Sequence, residues 1–256
     1  MGNHALLSAS SSHRWLNCPP SARLGEDYDD VGSDYAREGT CAHALCEYKL
    51  KKALGMEGTD PTENLDFYNA EMETCADEYA AYGLELYTAA KQTCSDPVAL
   101  IEQRLDFSKY VESGYGTGDF VLIADGTLYV TDFKYGVGVM VAAERNPQMM
   151  LYGLGAVEMF GALYDIDTIC MTIFQPRRDN ISTYTLSKDE LYQWAEEVLK
   201  PTAELAYAGE GAYHCGEWCQ FCKARNDCRA RAVQNLELAK YDFKLPPLLT
   251  DDEIED

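Results

Sequence analysis

An Asp-Gly pair at residues 125–126 constrains the fold of this chain more than any other feature, because it joins two runs of strand-like character. The run before it reads TGDFVLI, and the run after it reads TLYVTDF. Alternation of apolar and polar residues is typical of β-strands, and Asp-Gly favours a two-residue hairpin turn. A third run, VALIEQRLDFS, precedes both. The sequence therefore predicts a three-strand antiparallel meander.

Patterns with helical spacing flank the meander on both sides. The predicted helices cover residues 39–54 with Thr40 as N-cap, 66–93, 147–160, 188–208 and 224–240. Two more strand-like runs, IDTICMTIFQP and NISTYTLS, lie between the third and fourth helices. This order of elements predicts an α/β protein with a central mixed β-sheet flanked by helices.

We interpret the 256 residues as one domain, because a hydrophobic content of 46% suffices for one substantial core. No run approaches the roughly 20 apolar residues that cross a membrane, and the first residues lack the pattern of a secretory signal. We therefore expect a cytoplasmic protein. The domain has a helical N-terminal part at 1–96, the α/β core at 97–210, a cysteine-rich segment with a helix at 211–240 and an acidic tail at 241–256.

Two acidic residues and a lysine fall on the meander. Asp132 and Lys134 lie two residues apart on the third strand and so share a face, and the hairpin can bring Asp119 close to them. Two converging carboxylates repel each other unless a divalent cation lies between them. A neighbouring lysine can orient the attacking water and stabilise its deprotonated form. These are the components of metal-assisted phosphodiester hydrolysis, although Asp-x-Lys alone is also common on solvated strands.

The formal net charge of −22 opposes nucleic-acid binding, since diffuse acidity repels phosphate. A nuclease of this composition needs metal ions and a local basic groove, or a partner that delivers the substrate. The alternative is a catalytically silent scaffold. The acidity favours this alternative, whereas the intact Asp119, Asp132 and Lys134 disfavour it.

Further residues occur in an order that resembles the RecB-like exonuclease branch of the PD-(D/E)XK nuclease superfamily, which has a restriction-endonuclease-like core. That branch carries a histidine on an early helix, then G-x-x-D, D-x-K and Q-x-x-x-Y. The matching residues here are His43, Asp119, Asp132, Lys134, Gln148 and Tyr152. The resemblance implies a DNA exonuclease of phage recombination, replication or repair.

The same resemblance implies a role for each residue. The implied metal ligands are His43, Asp119, Asp132 and the Phe133 carbonyl. The ion would be Mn²⁺ or Mg²⁺, and an imidazole among oxygen ligands suits Mn²⁺ somewhat better. Lys134 would activate water, and Gln148 and Tyr152 would contact DNA or the active site.

Ten cysteines in a chain without a secretory signal indicate metal or cluster binding rather than a disulfide scaffold. Cys219-x2-Cys222-x5-Cys228 supplies three thiolates. Cys215 could supply a fourth for a local zinc site, and Cys18 could close the site across almost the whole chain. Thiolate ligation suits either zinc or an iron–sulfur cluster.

The N-terminal motif S-x-S followed by aromatic-x-x-C-P resembles the AddB-type nucleases and the exonucleases of CRISPR adaptation, which carry C-x2-C-x5-C much later. The residues that match the N-terminal motif are Ser8, Ser10, Trp15, Cys18 and Pro19. This resemblance favours a [4Fe–4S] cluster that joins the two ends of the chain through Cys18, Cys219, Cys222 and Cys228.

The opening also resembles a family of phage and prophage proteins of unassigned function. Together the resemblances imply single-stranded DNA or DNA ends as substrate, and a phage single-strand-binding or recombination protein as partner. They place the chain in the cytoplasm of a bacterial host. A zinc or iron–sulfur interaction module on an unrelated α/β body remains an alternative, and the oligomeric state stays open.

Overall fold

The computed structural model describes residues 5–28 and 32–241. The five strands of its sheet are β1 Val98–Asp106, β2 Tyr115–Ala124, β3 Thr127–Phe133, β4 Thr168–Gln175 and β5 Asn180–Ser187. They lie in sequence order, with β3 and β4 parallel and all other neighbours antiparallel. The predicted mixed sheet is therefore confirmed. The predicted acidic tail falls, from residue 242 on, outside the described residues.

The hairpin predicted at Asp125 and Gly126 is confirmed and joins β2 to β3. Ala124 pairs with Thr127, so the loop has two residues. Both loop residues have positive φ, 48° for Asp125 and 74° for Gly126. This backbone matches the twist of the adjoining strands and fixes their register.

Eight α-helices accompany the sheet in the described part of the chain. They are α1 Ser12–Asn17, α2 Ser21–Leu24, α3 Asp34–Ala53, α4 Ala70–Thr93, α5 Pro147–Phe160, α6 Lys188–Trp194, α7 Lys200–Ala208 and α8 Arg229–Ala239. A π-helical stretch, Ala195–Leu199, joins α6 to α7 within the helix predicted at 188–208. In the described ranges, no helix is both long enough and apolar enough to cross a membrane.

The predicted start of α3 is wrong. Ser33 is the N-cap, and its hydroxyl accepts a hydrogen bond of 3.2 Å from the amide of Ala36. Thr40 lies inside the helix, where its hydroxyl donates to the Ala36 carbonyl. The helix begins before Gly39 because Ser33 can cap it. Both Ser and Thr are good N-cap residues, so residue type alone does not show which of the two caps the helix.

The sheet separates two hydrophobic cores. One face carries α5, α6 and α7 around buried residues such as Val130 and Leu154. The other face carries α3 and α4 around Leu45, Tyr79 and Phe133. Helices α3 and α5 thus approach the sheet from opposite sides, which places side chains from both helices near the ends of β2 and β3.

Close packing of α5 on β1 depends on Gly155. A Cβ at this position would lie 3.1 Å from the Cβ of Leu105 and 3.3 Å from the backbone of Asp106. We expect Gly155→Ala to lower the free energy of unfolding by about 1–3 kcal/mol, because the strand backbone cannot yield. Urea denaturation measures this. Gly39 in α3 is the control, since nothing lies within 4 Å of a Cβ built there, and Gly39→Ala should stabilise by roughly 0.5–1 kcal/mol. Equal stability of the two variants would contradict the packing argument.

Candidate active site

An irregularity in the sheet determines the direction of two acidic side chains. Glu102 on β1 and Asp119 on β2 lie at the same level, but the regular pairing of the two strands skips them. Glu102 has a φ of 52°, which is uncommon for a residue with a Cβ. Leu100 and Leu105, five residues apart, both pack on the α5 side of the sheet. The side-chain alternation is therefore inverted once between them.

This inversion brings Glu102 and Asp119 to His43 on α3. One ligand atom from each of the three residues lies within 4.8 Å of the others, and the Nδ1 of His43 is 3.3 Å from Oδ1 of Asp119. The His43 ring also packs edge-on against Phe133, with centroids 5.4 Å apart. One imidazole and two carboxylates form a donor set that suits Mn²⁺ or Mg²⁺. We call these three residues the triad.

The carboxylates of the triad bring negative charges close together. Without a bound cation, protons on His43 and Glu102 offset these charges. Burial lowers the pKa of His43, but the attraction and hydrogen bond of the Asp119 carboxylate outweigh it and raise that pKa to about 9. Burial and the repulsion from Asp119 raise the pKa of Glu102 to about 7. A divalent cation would replace these protons, and a site that binds protons this readily has the electrostatics of a cation site.

A second group of residues surrounds Asp132. The Nζ of Lys134 lies 2.9 Å from Oδ2 of Asp132 and donates to Oε1 of Gln148 at 3.0 Å. The Nε2 of Gln148 donates to Oδ1 of Asp132 and to the Tyr152 hydroxyl oxygen, each at 3.0 Å. Gln148 and Tyr152 thus share one face of α5, as predicted. Burial raises the pKa of Asp132, and the Lys134 ammonium opposes this rise.

One buried hydrogen bond links the two groups. The backbone amide of Phe133, next to Asp132 in sequence, donates to Oδ2 of Asp119 at 2.7 Å. The side chain of Asp119 is 11% exposed and that of Asp132 is 3% exposed, whereas His43 and Lys134 reach 35% and 28%. The candidate site is therefore a buried pair of carboxylates with one partly exposed basic side chain on each side.

The structure brings the predicted residues together in a different grouping from the one expected. His43 lies with Asp119, whereas Asp132 lies with Lys134, Gln148 and Tyr152 and is turned toward α5. Oδ2 of Asp132 is paired with the Lys134 ammonium at 2.9 Å and, among the described residues, has no other hydrogen-bond partner. The amide of Phe133 donates to Asp119. Metal ligation by the Phe133 carbonyl stays a prediction.

Glu102 was missed as a ligand by sequence reasoning. Its position in VALIEQRLD, an acidic residue within an otherwise apolar stretch, was the available signal. Regular alternation from Leu100 would place Glu102 on the α5 side, away from His43. Only the positive φ of Glu102 reverses that direction.

The cysteines near the C-terminus meet Cys18 at one cavity. The cavity is lined by Cys18, Cys215, Cys219, Cys222 and Cys228, together with Arg14, Arg225 and Arg231. Both candidates for the fourth ligand therefore lie at the same place. Burial and the neighbouring thiols raise the pKa of Cys18 and of Cys215.

Arg14 holds the N-terminal side of this cavity together. Its Nη1 donates to the carbonyl and, at 3.0 Å, to the hydroxyl of Ser21. Burial lowers the pKa of Arg14, while the thiols of Cys222 and Cys18 favour its charged form. A guanidinium at this position compensates the negative charge that thiolate ligands would bring.

The fold and the candidate site define an α/β protein with a five-strand mixed sheet and a triad suited to a divalent cation. Residues 4–256 match the family described as Protein of unknown function (DUF2800), and the chain belongs to this family. The crystal structure of SSO0001 aligns with 73% of this chain and 95% of its own, at 15% identity and a TM-score of 0.30. A superposition this loose supports no conclusion about fold or function.

Glu102 should destabilise the metal-free protein above neutral pH. Its pKa of about 7 lies above the ordinary 4.5, so the folded state keeps a proton that the unfolded state releases, and stability falls as the pH rises through this window. Glu102→Gln should therefore raise the free energy of unfolding by about 1–2 kcal/mol near pH 8 and change it little near pH 4, since water screens part of the repulsion.

Urea denaturation in the presence of a chelator measures this effect. Glu57→Gln, on an exposed loop, is the matched control and should have no effect at either pH. A gain of equal size at both pH values would mean that improved packing, and not relief of repulsion, explains the stabilisation.

Proposed function

We propose that this protein is a metal-dependent deoxyribonuclease of the PD-(D/E)XK type, and specifically an exonuclease of phage recombination, replication or repair. The observation that carries the proposal is the adjacency of two groups: a triad suited to a divalent cation, and a carboxylate, lysine, glutamine and tyrosine joined by hydrogen bonds. The amide of Phe133 connects them through Asp119. The order of these residues along the chain also matches the superfamily.

The residues divide the work of hydrolysis between them. His43, Glu102 and Asp119 would hold Mn²⁺ or Mg²⁺, and a bound ion polarises a phosphate oxygen and lowers the pKa of a water molecule. Oδ2 of Asp132 forms an ion pair with the Lys134 ammonium at 2.9 Å. Lys134 would stabilise hydroxide or the charge that develops on the phosphate.

Gln148 supports this arrangement from α5. It accepts from Lys134 and donates to Asp132, so it fixes the direction of both side chains. Its second contact, to the Tyr152 hydroxyl, ties the site to the buried face of the helix. Asp132 and Lys134 are thereby held before substrate arrives, which lowers the cost of reaching the reactive geometry.

Nuclease activity is the first test. Mn²⁺-dependent degradation of labelled single- and double-stranded DNA is compared for the wild type, Asp132→Asn and Lys134→Ala. Each substitution should reduce the rate by at least about 100-fold, since it removes a group that acts on the developing charge. Substrates that carry the label at the 5′ end only, or at the 3′ end only, reveal whether degradation proceeds from an end and from which one.

Asp167 and Lys188 provide the matched control. They form an ion pair with each other, with 3.7 Å between Nζ and Oδ1, and they do not belong to the candidate site. Asp167→Asn and Lys188→Ala should keep wild-type activity. Equal rates in all five proteins would mean that a contaminant cleaves the DNA. Absence of cleavage in every protein would favour the catalytically silent scaffold, which the charge of −22 also supports.

We further propose that Cys18, Cys219, Cys222 and Cys228 hold a [4Fe–4S] cluster. The support for this ligand set is that Cys18 lines the same cavity as Cys219, Cys222 and Cys228, although it lies about 200 residues earlier in the chain. The three arginines at the cavity would offset the negative charge of a thiolate-bound cluster.

The cluster proposal is tested by metal content and colour after anaerobic purification. The wild type should be brown, absorb broadly at about 400 nm and contain about four iron atoms per chain. Cys18→Ser should lose iron and unfold more readily, because the link between the chain ends is lost. Cys215→Ser should retain iron. A colourless zinc protein that loses metal in Cys215→Ser and keeps it in Cys18→Ser would establish the local zinc site instead.

A further inference from the structure

A second cavity lies beside the cavity of the cysteines and shares Leu24, Tyr213, Cys228 and Ala230 with it. It has a volume of about 450 Å³, within the usual range for sites that bind small molecules. Its walls come from both ends of the described chain. It is lined by Leu24, Tyr28, Tyr213, Ala224, Asp227, Cys228, Arg229 and Ala230. We call this cavity the tyrosine groove.

Two aromatic rings and a guanidinium give the tyrosine groove its chemical character. Tyr213 is 51% exposed, so about half of its surface is open to solvent. The Tyr28 hydroxyl donates to Oδ2 of Asp227 at 3.1 Å, which fixes that ring in the wall. Arg229 is exposed at the start of α8. Aromatic faces with a neighbouring arginine are what single-stranded nucleic acids require for base stacking and phosphate pairing.

The charge around the groove differs from that of the rest of the protein. The chain carries a net charge of −22. The two wall segments, residues 24–28 and 211–241, together contain five lysines and arginines and five acidic residues. The walls are thus close to neutral, so they repel phosphate less than the rest of this acidic chain does.

The groove is also connected to the candidate active site. A Cβ at Gly116 would touch both Ala9 and the Tyr152 ring, so the N-terminal segment lies against Tyr152. From Ala9, the chain runs through α1 to Cys18 and on to Tyr28. One short segment, residues 9–28, thus links the surroundings of Tyr152 to the groove.

We propose that the tyrosine groove binds a nucleotide of single-stranded DNA, with the base stacked on Tyr213 and the phosphate paired with Arg229. The carboxylate of Asp227 faces the same space and can accept a hydrogen bond from an exocyclic amino group of a base. The inference rests on the proposed function, because it names the form of DNA that reaches the nuclease site.

The test measures binding of a fluorescein-labelled oligodeoxycytidylate by fluorescence anisotropy. Full-length protein, purified anaerobically with the Asp132→Asn substitution, leaves the probe uncut. Adding Tyr213→Ala should weaken binding by about 5- to 100-fold, whereas Tyr213→Phe should bind as the parent does, since it retains the ring. Arg229→Gln should weaken binding and lower the salt dependence by about one phosphate contact.

Tyr35→Ala is the matched control, because Tyr35 is 83% exposed and does not line the groove. It should bind like the parent. If Tyr213→Ala and Arg229→Gln bind like Tyr35→Ala, or if the parent does not bind the probe, the groove proposal is wrong, whatever the nuclease assay gives. If binding depends on Tyr213 and Arg229 while the Asp132-intact protein cleaves nothing, the groove proposal stands and the proposed nuclease activity fails.

Discussion

The hydrogen bond from the Phe133 amide to the Asp119 carboxylate holds the candidate site together, and it does so at the expense of the sheet. Regular pairing of β2 with β3 ends at Phe120 and Thr131. Two residues further along β3, at Phe133, a side-chain oxygen receives the amide hydrogen that a backbone carbonyl would accept in a regular ladder. The carboxylate of Asp119 therefore lies in the plane of the sheet. From there it can reach His43 on one side and remain next to the strand that carries Asp132.

The cost of this arrangement is a dense group of partly buried charges. Asp119 raises the pKa of both His43 and Glu102, so the metal-free protein keeps protons that either residue would ordinarily have lost at the same pH. Binding of a divalent cation would release them, which links metal affinity to pH. The residues that destabilise the metal-free protein are thus the same residues whose charges a bound cation would offset. Such a conflict is common where a site serves function rather than stability.

The sequence predicted the framework well and the site only in part. The hairpin at Asp125 and the helix at 147–160 followed from local turn and spacing signals, which depend on few residues. The start of α3 was wrong because Ser33 caps it ahead of Thr40. The role of Glu102 was missed for a deeper reason: the direction of its side chain depends on one unusual backbone angle, and alternation rules assume regular strands.

The cavity of the cysteines combines Cys18 with thiols that lie about 200 residues later in the chain. For the proposed cluster, Cys18 would stay reduced on the ribosome until the segment through Cys228 has emerged. A product that stops before Cys219 would leave Cys18 without the other three proposed ligands. Loading of the proposed cluster would therefore follow translation of Cys228.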